Sequence, residues 1–238
     1  MDRVKDFQII IPMTGYGSRF VERGYTKLKP FIEVHGKPII EWVVKMFPGD
    51  EENITFICRD EHLQELDYMQ AELNRIAPQA SIFPITNWEK KGPVVDVLKA
   101  TSVISETNPI IISYCDYYMH WDYQLFKSQV LKNNCDGSLP CYSGFHPHLI
   151  PFQNLYASCN VDKNNNLIEI REKYSWNEDK TKDIHSPGVF YFKQKSILTK
   201  HCNQLVNNNN NHINNEYYMS LPFNYLVKDG LKVWCPEN

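Results

Sequence analysis

The chain has 238 residues, 42% hydrophobic and 22% charged, enough for one sizeable α/β domain whose core needs no covalent staples. A formal net charge of −3 leaves no basic field for nucleic acid, and no apolar run is long enough to span a bilayer. The seven cysteines are odd in number and include no C-x-x-C pair, which points to reduced thiols in a cytoplasmic protein. In chain order, Ile9, Ile10 and Ile11 read as a buried strand that breaks at Pro12 into a loop holding Gly15, Gly17 and Arg19. Their apolar run is too short for the core of a signal peptide. Residues 38–47 place Ile39, Val43 and Phe47 on one helical stripe, 53–59 form a short strand, and 60–78 form a helix with an acidic start that stops before Pro78. Residues 80–86 are strand-like, 93–104 helical, and 109–118 a strand with Asp116 toward its end. This alternation predicts a doubly wound, mostly parallel sheet, whose ligands sit beyond the carboxyl ends of the strands.

The second half changes character. Residues 155–173 read as a hairpin turning at DKNNN, 186–193 as a strand, and 215–230 as a helix up to Gly230. The asparagine tract 207–215 reads as a surface loop. With no repeat and no linker, the expectation is a single domain over 1–238, with 1–125 mainly binding nucleotide and 126–238 mainly binding a second substrate.

The loop GYGSRF (15–20) ends in Phe20 where a dinucleotide fingerprint needs glycine, and no Gly-Lys-Ser/Thr follows for a P-loop. Glycine amides can still approach phosphate oxygens closely, and Arg19 and Lys29 add fixed positive charge, with Pro30 stiffening the segment that carries Lys29. Together GYGSRF, KPF (29–31) and GKPII (36–40) resemble the N-terminal signature of the nucleotidyltransferases that couple an NTP to a sugar 1-phosphate or phospho-alcohol. The resemblance continues through KKGPVVDVLKA (90–100), the strand ending at Asp116, IREKY (170–174), HSPGVFYF (185–192) and NNEYYMSLPFNYLVKDGLKVW (214–234). It implies a Rossmann-like three-layer α/β fold with a mixed, mostly parallel central sheet. DGSLPCYSGFHPH (136–148) resembles a segment of one capsule-type branch, and the chain resembles the short form without a C-terminal β-helix. The loop departs from the commonest form in lacking a run of small residues before Gly15.

The resemblance also implies site residues. Met13, Gly15, Gly17, Ser18 and Arg19 would hold the nucleotide, with Gly92 against the base and Lys29 at the α-phosphate. Asp116 and Glu216 would bind Mg²⁺, and Lys173, Glu172, Gly188 and Tyr118 would face the acceptor. Catalysis would rest on Arg19, Lys29, Asp116 and Lys173. Attack of one anion on another requires in-line positioning and charge neutralisation rather than a general base, in keeping with the lack of any triad-like set. The partners implied are an NTP and a small phosphorylated substrate, with homo-oligomerisation possible and no nucleic acid or membrane. His146 and His148 flank Pro147 in an extended segment with no third ligand at useful spacing, which favours a pocket or an exposed turn over a metal site. A GT-A glycosyltransferase would need D-x-D where CDYYMHWD stands and would lack the KP signature. A non-catalytic nucleotide-binding subunit would usually have lost one of Arg19, Lys29 or Asp116.

Overall fold

The computed structural model describes residues 6–208 and 212–237. The isoleucine run forms β1 (Gln8–Pro12), and the chain continues through α1 (Ser18–Val21), β2 (Glu33–Val34), β3 (Lys37–Pro38) and α2 (Ile39–Val44). Helix α2 is shorter than its apolar stripe: Val43 lies in it, whereas Phe47 is buried from the turn that follows. Strand β4 (Ile54–Arg59) leads into α3 (Asp60–Glu65) and α4 (Asp67–Ile76), two helices where the sequence suggested one. The break falls at Leu66 (φ −114°, ψ 86°), which lets α4 send Met69 and Leu73 into the core. Next come β5 (Ser81–Ile85), α5 (Pro93–Lys99) and β6 (Ile110–Ser113). Helix α5 ends before residue 104 in a single 3₁₀ turn, Thr101–Val103, where the Thr101 hydroxyl donates to the Leu98 carbonyl.

Helix α6 (Tyr123–Lys132) is capped by Asp122, whose carboxylate accepts from the Leu125 amide at 2.8 Å. It is followed by β7 (Gly137–Ser138) and the expected hairpin, β8 (Ala157–Val161) and β9 (Leu167–Glu172). The turn closes as the asparagines suggest, with Asp162 accepting from the amides of Asn164 and Asn166 and Asn165 at φ 59°. The chain then forms β10 (Ile184–His185), β11 (Val189–Phe192), α7 (Lys195–Asn207), α8 (Pro222–Lys228) and β12 (Val233–Trp234). The helix expected over 215–230 begins only at Pro222, because proline fits the first helical turn and disrupts an interior.

Seven strands form the main sheet in the order β12-β7-β11-β6-β1-β4-β5. Strands β6, β1, β4 and β5 pair in parallel, whereas β11 is antiparallel to both β6 and β7. A second sheet, β10-β8-β9, is antiparallel. Helices cover both faces of the main sheet, so its central strands β1 and β6 are mostly apolar and their alternate residues enter different cores. Ile9 and Ile11 join a cluster with Val43, Met69 and Phe126, whereas Ile10 joins one with Val97, Leu198 and Phe223. Strand β6 repeats the split, with Ile111 on the first side and Ile110 and Ile112 on the second. The main sheet takes strands from both sides of residue 125.

Candidate active site

Strand β1 has parallel neighbours on both sides, β6 and β4, whose connections leave in different directions. Such a point opens a crevice at the carboxyl ends of the strands. A cavity of about 470 Å³ occupies it and is lined by Met13, Gly15, Gly17, Ser18, Arg19, Lys29, Asp116, Lys173, Asn214 and Glu216. A narrower lobe of about 240 Å³ shares Gly15, Tyr16, Asp116 and Glu216 and adds Thr14, Trp88, Gly92 and Asp96.

The glycine loop is shaped around Lys29. Gly17 has φ 60°, and a Cβ there would lie 3.1 Å from the Lys29 side chain. Lys29 opens a 3₁₀ turn, Lys29–Phe31, anchored by buried Pro30 and Phe31. Its ammonium donates to Asp116 and lies 5.2 Å from the Phe20 ring centroid. Both members of the ion pair remain about one-third exposed, at 32% and 28%. Asp116 stands three residues past the end of β6, which is shorter than the sequence suggested.

Lys173 follows β9 at φ 53°, a conformation rare for lysine, with its amide tied to the Tyr156 carbonyl. Its ammonium lies 5.5 Å from the Tyr218 ring centroid, at the cavity wall. Glu216 arrives by a device that the sequence conceals. Asn214 and Asn215 adopt left-handed φ values of 54° and 62°, and Ile213 and Glu216 exchange backbone hydrogen bonds across this tight turn. The C-terminal end of the asparagine tract is thus a built turn that presents Glu216, beside Lys90 at 3.3 Å. Residues 209–211 of the tract lie outside the described residues.

Three residues expected at the ligands also have close neighbours within the protein. A Cβ on Gly92 (φ 89°) would lie 2.7 Å from the Tyr217 nitrogen and 2.8 Å from its carbonyl oxygen. Close approach of the 216–217 segment is therefore reason enough for the glycine, although it also lines the narrow lobe. Gly188 (φ 84°) makes the same allowance for the Tyr114 ring, 2.7 Å from its would-be Cβ, and lines none of these cavities. Glu172 accepts from the Ser220 hydroxyl, and burial pushes its carboxyl up to about 6 against the opposing pull of that bond. Tyr118 lies apart from the glycine loop, edge-on to Trp42. It lines a separate cavity of about 500 Å³ with Tyr117, Tyr142, His146 and Tyr156. The His146 ring is 4.4 Å from that of Tyr142, which makes it a pocket residue.

In and behind the wall of the narrow lobe are residues that the motifs did not reveal. Arg59, 1% exposed at the end of β4, donates from Nε to the Thr14 carbonyl at 2.5 Å. Its guanidinium sits in the corner of an edge-on Tyr16–Trp88 pair, 3.5 and 3.9 Å from the two centroids. Asp96 accepts from the Thr14 hydroxyl at 2.5 Å and from the Trp88 indole at 3.1 Å. Burial raises its carboxyl to about 6 despite these bonds. Arg59 and Asp96 thereby fix the backbone and side chain of Thr14, and so the start of the glycine loop. The one signal in sequence was a charge in an otherwise apolar strand.

No protein-family model matches the chain, and no curated protein matches it by sequence. Solved structures do. A nucleoside-diphosphate-sugar pyrophosphorylase from Vibrio cholerae RC9 aligns with 97% of this chain and 92% of its own at TM-score 0.75 and 19% identity. A UDP-glucose pyrophosphorylase complexed with UDP-glucose aligns with 98% and 91% at TM-score 0.70 and 14% identity. The inositol-1-phosphate CTP transferase from T. maritima aligns with 100% and 87% at TM-score 0.71 and 13% identity. At these identities the likeness establishes the fold: a Rossmann-like α/β architecture with a mixed, mostly parallel sheet.

Proposed function

We propose that the chain is a nucleotidyltransferase that joins an NTP to a small phosphorylated or phosphonate acceptor, such as a sugar 1-phosphate, and releases pyrophosphate. One observation carries this reading. Arg19, Lys29, Lys173, Asp116 and Glu216, from segments far apart in sequence, line a single cavity at the switch point of the sheet. The three named solved structures, all pyrophosphorylases or nucleotidyltransferases by description, support it. CTP is the favoured nucleotide, with UTP, dTTP and GTP as the other choices. Synthesis of activated precursors for surface polysaccharide in the cytoplasm is the setting we favour.

In this reading the Gly15 and Gly17 amides and Arg19 hold the β- and γ-phosphates. Lys29 leaves Asp116 for the α-phosphate, where negative charge concentrates as the new bond forms. Lys173 neutralises the incoming phosphate, whose ionised oxygen needs no base, and holds it in line. Met13 and Ser18 shape the phosphate loop, and the Thr14–Trp88–Gly92 lobe takes the base. The tyrosine-lined cavity that includes Tyr118 is the acceptor's. Asp116 and Glu216 suit Mg²⁺: both offer hard oxygen donors to one cavity, and such a pair leaves ligand positions for water and phosphate. When bound, the ion would offset the charge of the phosphates.

The test is pyrophosphate release with Mg²⁺, each NTP and a panel of sugar 1-phosphates, phosphocholine and phosphonates. Release with one NTP–acceptor pair that disappears in Asp116→Ala supports the reading. Nucleotide binding without release from any member of a broad acceptor panel would favour a non-catalytic nucleotide-binding subunit.

A further inference from the structure

Cys141, Cys159 and Cys235 are far apart in sequence and have no metal-site spacing, yet the fold gathers them. Their sulfur atoms all lie within 4.8 Å of one another, and Sγ of Cys141 is 3.8 Å from Sγ of Cys159. They form the one group of three or more potential metal-ligating side chains found at this spacing among the described residues. We propose that this trio is a binding site for a soft, thiophilic d¹⁰ cation, distinct from the carboxylates of the active site.

The geometry suits such an ion. With metal–sulfur bonds of about 2.3 Å, tetrahedral angles place neighbouring sulfurs about 3.8 Å apart, and a trigonal plane places them about 4.0 Å apart. Little movement is then needed to bring three thiolates around one centre. The scaffold is also fixed in advance. Cys159 sits within β8 and is paired on both sides, with Ile184 of β10 and Ile170 of β9. The Cys235 amide donates to the Asn165 carbonyl at 2.8 Å, and the Cys141 amide to that of Pro236 at 2.7 Å. The hairpin turn, the small sheet and the segment after β12 thus each hold one ligand.

The trio is buried, with exposures of 1%, 3% and 1%. Cys141 nevertheless lines the tyrosine-rich cavity of about 500 Å³, which gives an ion a route from solvent. The absence of a fourth side-chain ligand in the group favours a three-coordinate thiophilic ion, or one that completes its shell with water from that cavity. Binding exchanges three S–H protons, released to solvent, for three sulfur–metal bonds, with no change of oxidation state.

The experiment is an anaerobic Cd²⁺ titration of the whole protein with a non-thiol reductant and excess Mg²⁺, followed by the ultraviolet thiolate-to-cadmium band. The expected result is saturation at one Cd²⁺ per chain, persistence in Cys58→Ala and loss in Cys141→Ala. X-ray absorption of wild type loaded with one equivalent, which depends on no variant, must report three sulfur scatterers. No band, displacement by Mg²⁺, fewer than three sulfurs, or an unchanged band in a folded Cys141→Ala protein would each overturn the proposal.

Discussion

Two lysine–aspartate pairs in this protein have the same chemistry and opposite settings. Lys127 and Asp50 meet at 2.6 Å beneath α6, with side chains 5% and 0% exposed. Asp50 there also accepts from the Tyr123 hydroxyl at 2.6 Å and from the Phe7 amide at 3.3 Å. Lys29 and Asp116 meet at the mouth of the cavity, each about one-third exposed. In the first pair, every alternative partner is protein and water is excluded, so separating the charges leaves one stranded in a medium that cannot solvate it. In the second, solvent is at hand, and under the proposed function arriving phosphates or a cation would replace either partner. Burial, more than the identity of the residues, separates a scaffold pair from one that can exchange partners.

The largest effect should come from breaking the buried pair. Lys127→Met should cost about 3–5 kcal/mol of stability. For a chain of this size that lowers Tm by on the order of 10 °C, readable by calorimetry. The working pair should answer in activity instead. Lys29→Ala should lower kcat by roughly 10²–10³-fold, about 3 kcal/mol of transition-state stabilisation. Its Tm should stay within a few degrees of wild type, because partly exposed pairs contribute about 0–1 kcal/mol. A Tm loss matching that of Lys127→Met would erase the distinction.

Asp96 sharpens the contrast, being a buried acid held by neutral hydrogen bonds rather than by a direct ion pair. Its carboxyl is raised from an ordinary 3.8 to about 6, so the folded state holds that proton more tightly than the unfolded state does. The associated stability is fully present below pH 3.8 and is lost as pH rises through about 6. Asp96→Asn should remove this slope, on the order of 2–3 kcal/mol between pH 4 and 7. Denaturant melts of both proteins at several pH values measure it. A comparable effect is expected of Gly92→Ala, about 2–4 kcal/mol, from a Cβ forced against the Tyr217 backbone at positive φ. Because that contact abuts the segment bearing Glu216, the Mg²⁺ dependence of turnover should weaken along with Tm.

The parallel half of the fold was legible because its strands are buried on both faces and read as unbroken apolar runs, as in Ile9–Ile11 and Ile110–Ile112. The glycine loop that lines the cavity was legible because its residues are local: Gly17, Arg19 and Lys29 fall within a few turns of chain. Arg59 and Asp96 were not, since each serves by reaching Thr14 from a distant element. Glu216 was named, but the asparagine turn that presents it was taken for a surface loop. Helices α6 and α7 were overlooked because polar residues dilute their apolar spacing; in α7 only Leu198, His201, Cys202 and Leu205 are buried. The packing of Glu172 against Ser220 and of Gly188 against Tyr114 is likewise absent from the sequence, because both contacts join distant segments.

The central place of β1 has a consequence for biosynthesis. This strand is translated before both of its parallel neighbours, Ile54–Arg59 and Ile110–Ser113. At ribosomal speeds of about 5–20 residues per second, the second neighbour follows on the order of ten seconds later. Until then a largely apolar strand has an unpaired edge, and its protection depends on whatever meets the nascent chain first.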